Sequence, residues 1–145
     1  MVAFKLKILL STYNGERYIK EQIESILSQT YGKYDLIIRD DGSADNTVNI
    51  IESIIKDNKN ITLFKGNNLG VVRSFLQLLG SSSCDKGEII LFCDQDDVWM
   101  KDKLLNVVEY MSEAANHNNT LYCSRLNYVD PRLKSLKEAQ RVLQK

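Results

Sequence analysis

Between Glu88 and Trp99 the chain reads EIILFCDQDDVW, an apolar run that ends abruptly in three aspartates. Ile89 to Cys93 is short, rich in β-branched and aromatic residues and bounded by charge, which predicts a strand buried on both faces in the middle of a sheet. Asp94, Asp96 and Asp97 then stand at the carboxyl end of that strand, the end at which open α/β sheets take ligands. Like charges this close raise one another's pKa, so a folded chain carries such a cluster where a cation or a set of donors offsets it. Hard carboxylate oxygens suit Mg²⁺ or Mn²⁺, and Mg²⁺ is usually held by one or two carboxylates together with substrate phosphates. The plain alternative is a solvated acidic turn in which Asp97 or Asp102 caps the following helix. A DxD by itself favours that alternative, because so short a motif recurs by chance. The signal that tips the balance lies upstream.

The length of 145 residues suits one domain with a real core and is short for two. Hydrophobic content of 43%, charged content of 26% and a single proline describe a globular chain rather than a disordered or fibrous one. A formal net charge of zero gives no general electrostatic case for nucleic acid or an acidic membrane surface. The cysteines Cys84, Cys93 and Cys123 show no CxxC pairing or zinc spacing. Cys93 and Cys123 sit in apolar runs, as small buried hydrophobes do, and a reducing compartment fits them. The start, MVAFKLKILLST, has too short an apolar core for a leader or a membrane span and reads as a first strand. The expectation is a cytoplasmic domain, with a peripheral position at the inner face of the membrane as a variant.

In chain order, Leu6 to Leu10 is a buried-strand pattern ending in the polar turn Ser11–Gly15. From Glu16 to Gln29, Ile19, Ile23, Ile26 and Leu27 recur at helical spacing, and Glu16 reads as helix capping. Leu36 to Ile38 runs into Arg39, Asp40, Asp41, Gly42 and Ser43, a second acidic strand end. Asp45 is placed to N-cap a helix striped by Val48, Ile51, Ile54 and Ile55. A short strand over Ile61–Phe64, a loop through Gly66 and Gly70, and a helix over Val71–Leu79 precede the acidic strand. Lys101 to Ala115 is helical, Leu121 to Cys123 makes a further candidate strand, and Leu133 to Lys145 reads as an amphipathic tail helix. Strands alternating with helices predict an α/β fold with a mainly parallel sheet. If the three polar strand ends are neighbours, they converge on one crevice at the switch point of the sheet. No GxGxxG and no GxxxxGK[ST] occurs, so bound phosphates would need the aspartate-held metal as countercharge.

Taken together, LSTYNGERYIKEQIESILSQTY, DLIIRDDGSADNT, NNLGVVRSF and FCDQDDVWMKDKL resemble, in order and spacing, the nucleotide-sugar glycosyltransferases of the GT-A fold. The likeness is to the inverting "family 2" enzymes of bacterial polysaccharide synthesis and spans roughly residues 5 to 130. The DQDDVW variant looks most like their rhamnosyltransferase-type branch. The resemblance implies a Rossmann-like three-layer α/β/α sandwich over residues 1–130, with 131–145 as a tail. It implies a UDP- or dTDP-type sugar donor, Mn²⁺ or Mg²⁺, and a saccharide or lipid-linked saccharide acceptor.

By the same resemblance Thr12 and Tyr13 line the base pocket, with the Tyr13 ring against the base, and Asp41 accepts a hydrogen bond from the base edge. Asp41 would also serve as the carboxylate of its own DGS turn. Gly70 and Arg73 match the family's NxGxxxAR-like segment, with the alanine and the following asparagine replaced, and Arg73 suits a bidentate diphosphate contact. Asp94 would sit near ribose and metal and Asp96 would ligate the metal, while Trp99 is either a packing anchor or a wall of the sugar pocket. His117 reads as a surface residue and Asp130 as a turn residue. Such enzymes carry their catalytic base and acceptor-binding segment well after the DxD strand, so the expectation is the donor-binding part of a longer enzyme, incomplete for catalysis. The rival readings are a nucleotide-sugar-binding remnant without turnover and a nucleotidyltransferase, which would show a glycine-rich basic loop after the first strand. A receiver-like regulatory module would need a late lysine at a strand end.

Overall fold

The computed structural model describes residues 4–82, 87–114, 120–130 and 132–138. Its centre is β1 (Lys5–Thr12), whose run KLKILLST buries every residue from Leu6 to Leu10. It can do so because both its edges are paired, with β2 (Tyr34–Asp40) on one side and β4 (Glu88–Cys93) on the other, each in parallel. β3 (Ile61–Lys65) extends the sheet beyond β2, giving the order β3-β2-β1-β4. The crossovers are α1 (Ile19–Leu27), α2 (Thr47–Ile55) and α3 (Val71–Ser81), and α4 (Lys103–Glu113) follows β4.

Alternation along the strands sorts the layers. Leu6, Ile8, Leu10, Leu36 and Ile38 point to one face, where they form a single core with Ile19, Ile23 and Ile26 of α1, Ile51 of α2 and Leu104 and Val108 of α4. Leu9 and Ser11 point to the other face, where α3 lies: Ser11 Oγ meets Ser74 Oγ at 2.6 Å, and Leu78 is fully buried. The result is the expected three-layer α/β/α sandwich, and its helices change face where the strand order reverses between β1 and β4.

Three sequence expectations change. β4 is an edge strand among the described residues: Ile89 to Leu91 are only half-buried and Phe92 is 57% exposed, touched edge-on by Phe75. A short apolar run does not tell a central strand from an edge one, and the most buried strand is β1. Leu121 to Cys123 is not a strand, and both Leu121 and Cys123 are exposed rather than core. The described part of the expected tail helix is extended instead, with β5 (Asn127–Val129) pairing antiparallel with β6 (Ser135–Glu138). The cause is local, since Asp130 Oδ1 accepts the backbone N–H groups of Arg132 and Lys134, each at 2.9 Å, and turns the chain back. Cys84, His117 and residues 139–145 lie outside the described residues.

Candidate functional site

Because β2, β1 and β4 are neighbours, their carboxyl-end turns meet, and side chains staple them together. Thr12 of β1 is joined to the second turn by its carbonyl, which accepts the Asp41 N–H at 2.8 Å. Asn14 N–H donates to Ser43 Oγ at 2.9 Å, and Ala44 N–H returns a bond to Asn14 Oδ1 at 2.8 Å. On the other side the Gln95 amide oxygen accepts both Thr12 Oγ1, at 2.7 Å, and the Tyr13 N–H, at 3.0 Å. Gly15 makes this approach feasible: a Cβ there would stand 2.4 Å from Gln95 Oε1 and 2.8 Å from Thr12 Oγ1.

Asp41 is a hub and not the DGS turn carboxylate. The turn is closed by Asp40, whose Oδ2 accepts the N–H groups of Gly42 and Ser43 at 3.2 and 3.0 Å. Asp41, 2% exposed, pairs with the guanidinium of Arg39, itself 4% exposed, and accepts the N–H groups of Leu69 and Gly70 at 2.9 Å each. Burial alone would raise its carboxyl, but the Arg39 hydrogen bond and charge and the two backbone donors hold it below the usual carboxylate range. Arg39 also donates to Ser74 Oγ at 2.9 Å, Gln77 Oε1 at 2.7 Å and the Asn67 carbonyl at 3.0 Å. Through Asp41 and Arg39, then, β2 carries the loop that leads into α3. Gly70 ends that loop at φ +80°, a conformation that suits glycine, and so starts α3 at the rim of the site.

These turns enclose a cleft of about 300 Å³ lined by Ser11, Thr12, Tyr13, Asp41, Asn68, Gly70, Val71, Asp94, Gln95 and Asp96. One wall is neutral and hydrogen-bonding, with the Tyr13 ring 46% exposed beside it; the other is acidic. Asp94 and Asp96 are exposed at its mouth, and their charge reaches Asp97, whose carboxyl is pushed up by burial first and then by both neighbours, against the pull of Lys103. No group of three or more His, Cys, Asp or Glu among the described residues forms a metal cage. The donor set is instead two hard carboxylates on an open cleft, which fits a divalent cation completed by phosphate and water oxygens.

Of the residues expected at the site, Thr12, Tyr13, Asp41, Gly70, Asp94 and Asp96 line the same cleft. Arg73 does not: it stands on the exposed side of α3, beyond the cleft lining. Trp99 is a packing anchor, 6% exposed within the main core, with its backbone N–H donating to Ser25 Oγ at 3.0 Å and Lys103 Nζ 4.7 Å above its ring. Neither Asp97 nor Asp102 caps α4 through its side chain; Asp102 holds the N-cap position, but its carboxylate accepts Thr30 Oγ1 at 3.1 Å. Glu16 serves α2 rather than its own helix, taking the Asn46 N–H at 2.9 Å while Asp45 Oδ2 takes the Glu16 N–H at 3.0 Å. Asp45 stands one residue before the N-cap Asn46 and accepts the Thr47 N–H at 3.0 Å. Sequence reasoning missed Gln95 and Arg39. Nothing in the motif spacing marks Gln95, whereas a charged Arg39 inside a buried strand was a visible signal of a buried ion pair.

A parallel sheet with its cleft at the strand-order reversal, bounded by an aromatic ring and two carboxylates, defines an α/β ligand-binding domain of the doubly wound class. The particular family follows from comparison: the chain belongs to glycosyl transferase family 2, whose model matches residues 7–139. Among relatives, the dTDP-rhamnosyl transferase RfbG of Shigella flexneri is 36% identical over 107 residues, covering 69% of this chain and 36% of that protein. The UDP-Glc:alpha-D-GlcNAc-diphosphoundecaprenol beta-1,3-glucosyltransferase WfaP of Escherichia coli is 34% identical over 110 residues, covering 73% and 41%. Among solved structures, S. aureus TarS in complex with UDP matches with a TM-score of 0.67 and 28% identity, over 76% of this chain and 32% of that one. The chain thus spans well under half the length of these relatives.

Proposed function

We propose that this chain is the donor-binding part of a glycosyltransferase that uses a UDP- or dTDP-linked sugar with Mn²⁺ or Mg²⁺ in bacterial cell-surface polysaccharide synthesis. The observation that carries the reading is the convergence of three strand-end turns on one cleft, neutral and aromatic at Tyr13 and acidic at Asp94 and Asp96. In this reading Thr12 and Tyr13 hold the base, with the Tyr13 ring as its stacking surface. Asp41, ionised and rigidly held, presents acceptor capacity to the N–H of a uracil or thymine edge. Asp94 lies by the ribose, and Asp94 and Asp96 hold the cation, which when bound supplies positive charge for the diphosphate. Gly70 and Val71 bring the amino end of α3 to the rim, where its dipole favours the same negative charge.

Transfer itself forms a bond from the acceptor hydroxyl oxygen to the anomeric carbon as the bond to the diphosphate breaks, with the hydroxyl proton passing to a base. The name of WfaP, with its GlcNAc-diphosphoundecaprenol acceptor, supports a saccharide or lipid-linked saccharide in that role. No helix among the described residues is long and apolar enough to cross a membrane. The unpaired thiols of Cys93 and Cys123 support a reducing, cytoplasmic setting, with a peripheral place at the membrane's inner face for a lipid-linked acceptor. The deciding experiment is calorimetric titration with UDP, dTDP, CDP and ADP in Mn²⁺. Preference for UDP or dTDP is expected; equal binding of ADP and CDP, or no binding at all, would overturn the base-pocket assignment.

A further inference from the structure

We infer that Gln95, the residue between the two cleft aspartates, is a positioning residue that couples the base side of the cleft to its acidic side. The inference rests on the donor-site reading above. In the sheet, Leu10 of β1 is level with Cys93 of β4, so two residues on, where β4 has ended and β1 reaches its last residue, Thr12 comes level with Gln95. The ladder gives out there, and the Gln95 side chain replaces it. A single amide oxygen accepts Thr12 Oγ1 at 2.7 Å and the Tyr13 N–H at 3.0 Å. The backbone that carries Asp94 and Asp96 is thereby tied to the backbone that carries the Tyr13 ring.

The side chain has little freedom to lie elsewhere, because its amide packs into the space that Gly15 leaves by having no Cβ. A glutamine is suited to the post. Asparagine is one methylene too short to span the same gap, and methionine matches the length and bulk but has no comparable acceptor. Glutamate keeps the acceptor at full length. Whatever orders Asp94 and Asp96 therefore also orders Tyr13, and the reverse, so this contact should add to the mutual strengthening that cation and nucleotide already share through the phosphate oxygens.

The test uses the whole chain as wild type, Gln95→Met and Gln95→Glu, with two readouts. In amide hydrogen exchange, the Tyr13 N–H should be protected in wild type and Gln95→Glu and lose that protection in Gln95→Met. In calorimetric titration with UDP, the gain in affinity that Mn²⁺ brings over chelator should shrink severalfold in Gln95→Met, while the part that the phosphate oxygens supply remains. That gain should be kept in Gln95→Glu, a rescue that a general loss of fold would not give. Wild-type binding with an unchanged Mn²⁺ gain in Gln95→Met, or a Tyr13 amide equally protected in that variant, overturns the coupling while leaving the donor site standing. A wild-type chain that binds no nucleotide under any condition overturns both.

Discussion

In the proposed donor site, residues divide into those that would face the ligand and those that hold them, and the two kinds should fail differently. Tyr13 is exposed, so its ring contributes little to the fold, whereas stacking on an aromatic ring is worth roughly 1 to 3 kcal/mol per base. Tyr13→Ala should weaken UDP binding by about tenfold or more with thermal stability unchanged, measured by titration and melting. Asp41 is the opposite case. Removing its charge leaves the buried Arg39 guanidinium without its counterion, a change that typically costs about 3 to 5 kcal/mol. Asp41→Asn should therefore show a lower urea midpoint before any change in base preference is read. The same group sets an acid limit: Asp41 and Asp45 are both held below the ordinary carboxylate value of about 4, so their contribution is complete above that value and lost as pH falls through their lower folded-state values. Unfolding free energy followed from pH 7 to pH 2 should fall in that window, and more steeply in wild type than in Asp41→Asn.

At the scale of elements, most of the chain was legible because helix and strand periods are imposed by burial on one face or two. The alternation of β1, α1, β2, α2, β3 and α3, and the meeting of the strand-end turns, follow from patterns visible in the residues. What the pattern could not give was lateral position: Ile89–Cys93 is more apolar than Leu6–Leu10, which carries Lys7, yet among the described residues the former is an edge and the latter the centre. Nor does a pattern assign individual hydrogen bonds. Asp40 rather than Asp41 closes the DGS turn, and Glu16 caps across to α2, because partners distant in sequence compete for the same donors. Trp99 shows the practical consequence. As a core residue, Trp99→Ala should cost about 3 to 5 kcal/mol by chemical denaturation and leave any preference for sugar nucleotide over free nucleotide unchanged. A normal midpoint with loss of that preference would instead make it a wall of the sugar site.

For the molecule as a whole, the carboxylates lining the cleft are Asp41, Asp94 and Asp96. In the proposed reading Asp41 pairs with Arg39 and faces the base while Asp94 and Asp96 serve donor and metal, so among the described residues the cleft lining offers no further carboxylate to take the acceptor proton. The 145-residue chain is expected to bind donor nucleotide and at most hydrolyse it slowly, since a positioned base contributes about 10² to 10⁴ in rate. Transfer to an oligosaccharide or lipid-linked acceptor, compared with that of a longer family member, tests this; comparable turnover would require a base among the residues present, with Asp97 and Asp130 the first to replace. The edge of β4, open among the described residues, with Phe92 and the exposed Val72 and Leu76 of α3, should also show as concentration-dependent self-association in sedimentation, which a strictly monomeric chain would contradict.

In the proposed donor site the acidic side of the cleft and the base side serve one ligand. This is tested most directly by titrating UDP and dTDP into the wild-type chain and Asp96→Ala, each in Mn²⁺ and in excess chelator. Mn²⁺ should tighten wild-type binding by about tenfold or more and should do nothing for Asp96→Ala, because two carboxylates hold such an ion well only when phosphate oxygens complete its shell. Equal affinity with and without the metal in the wild-type chain would contradict the account.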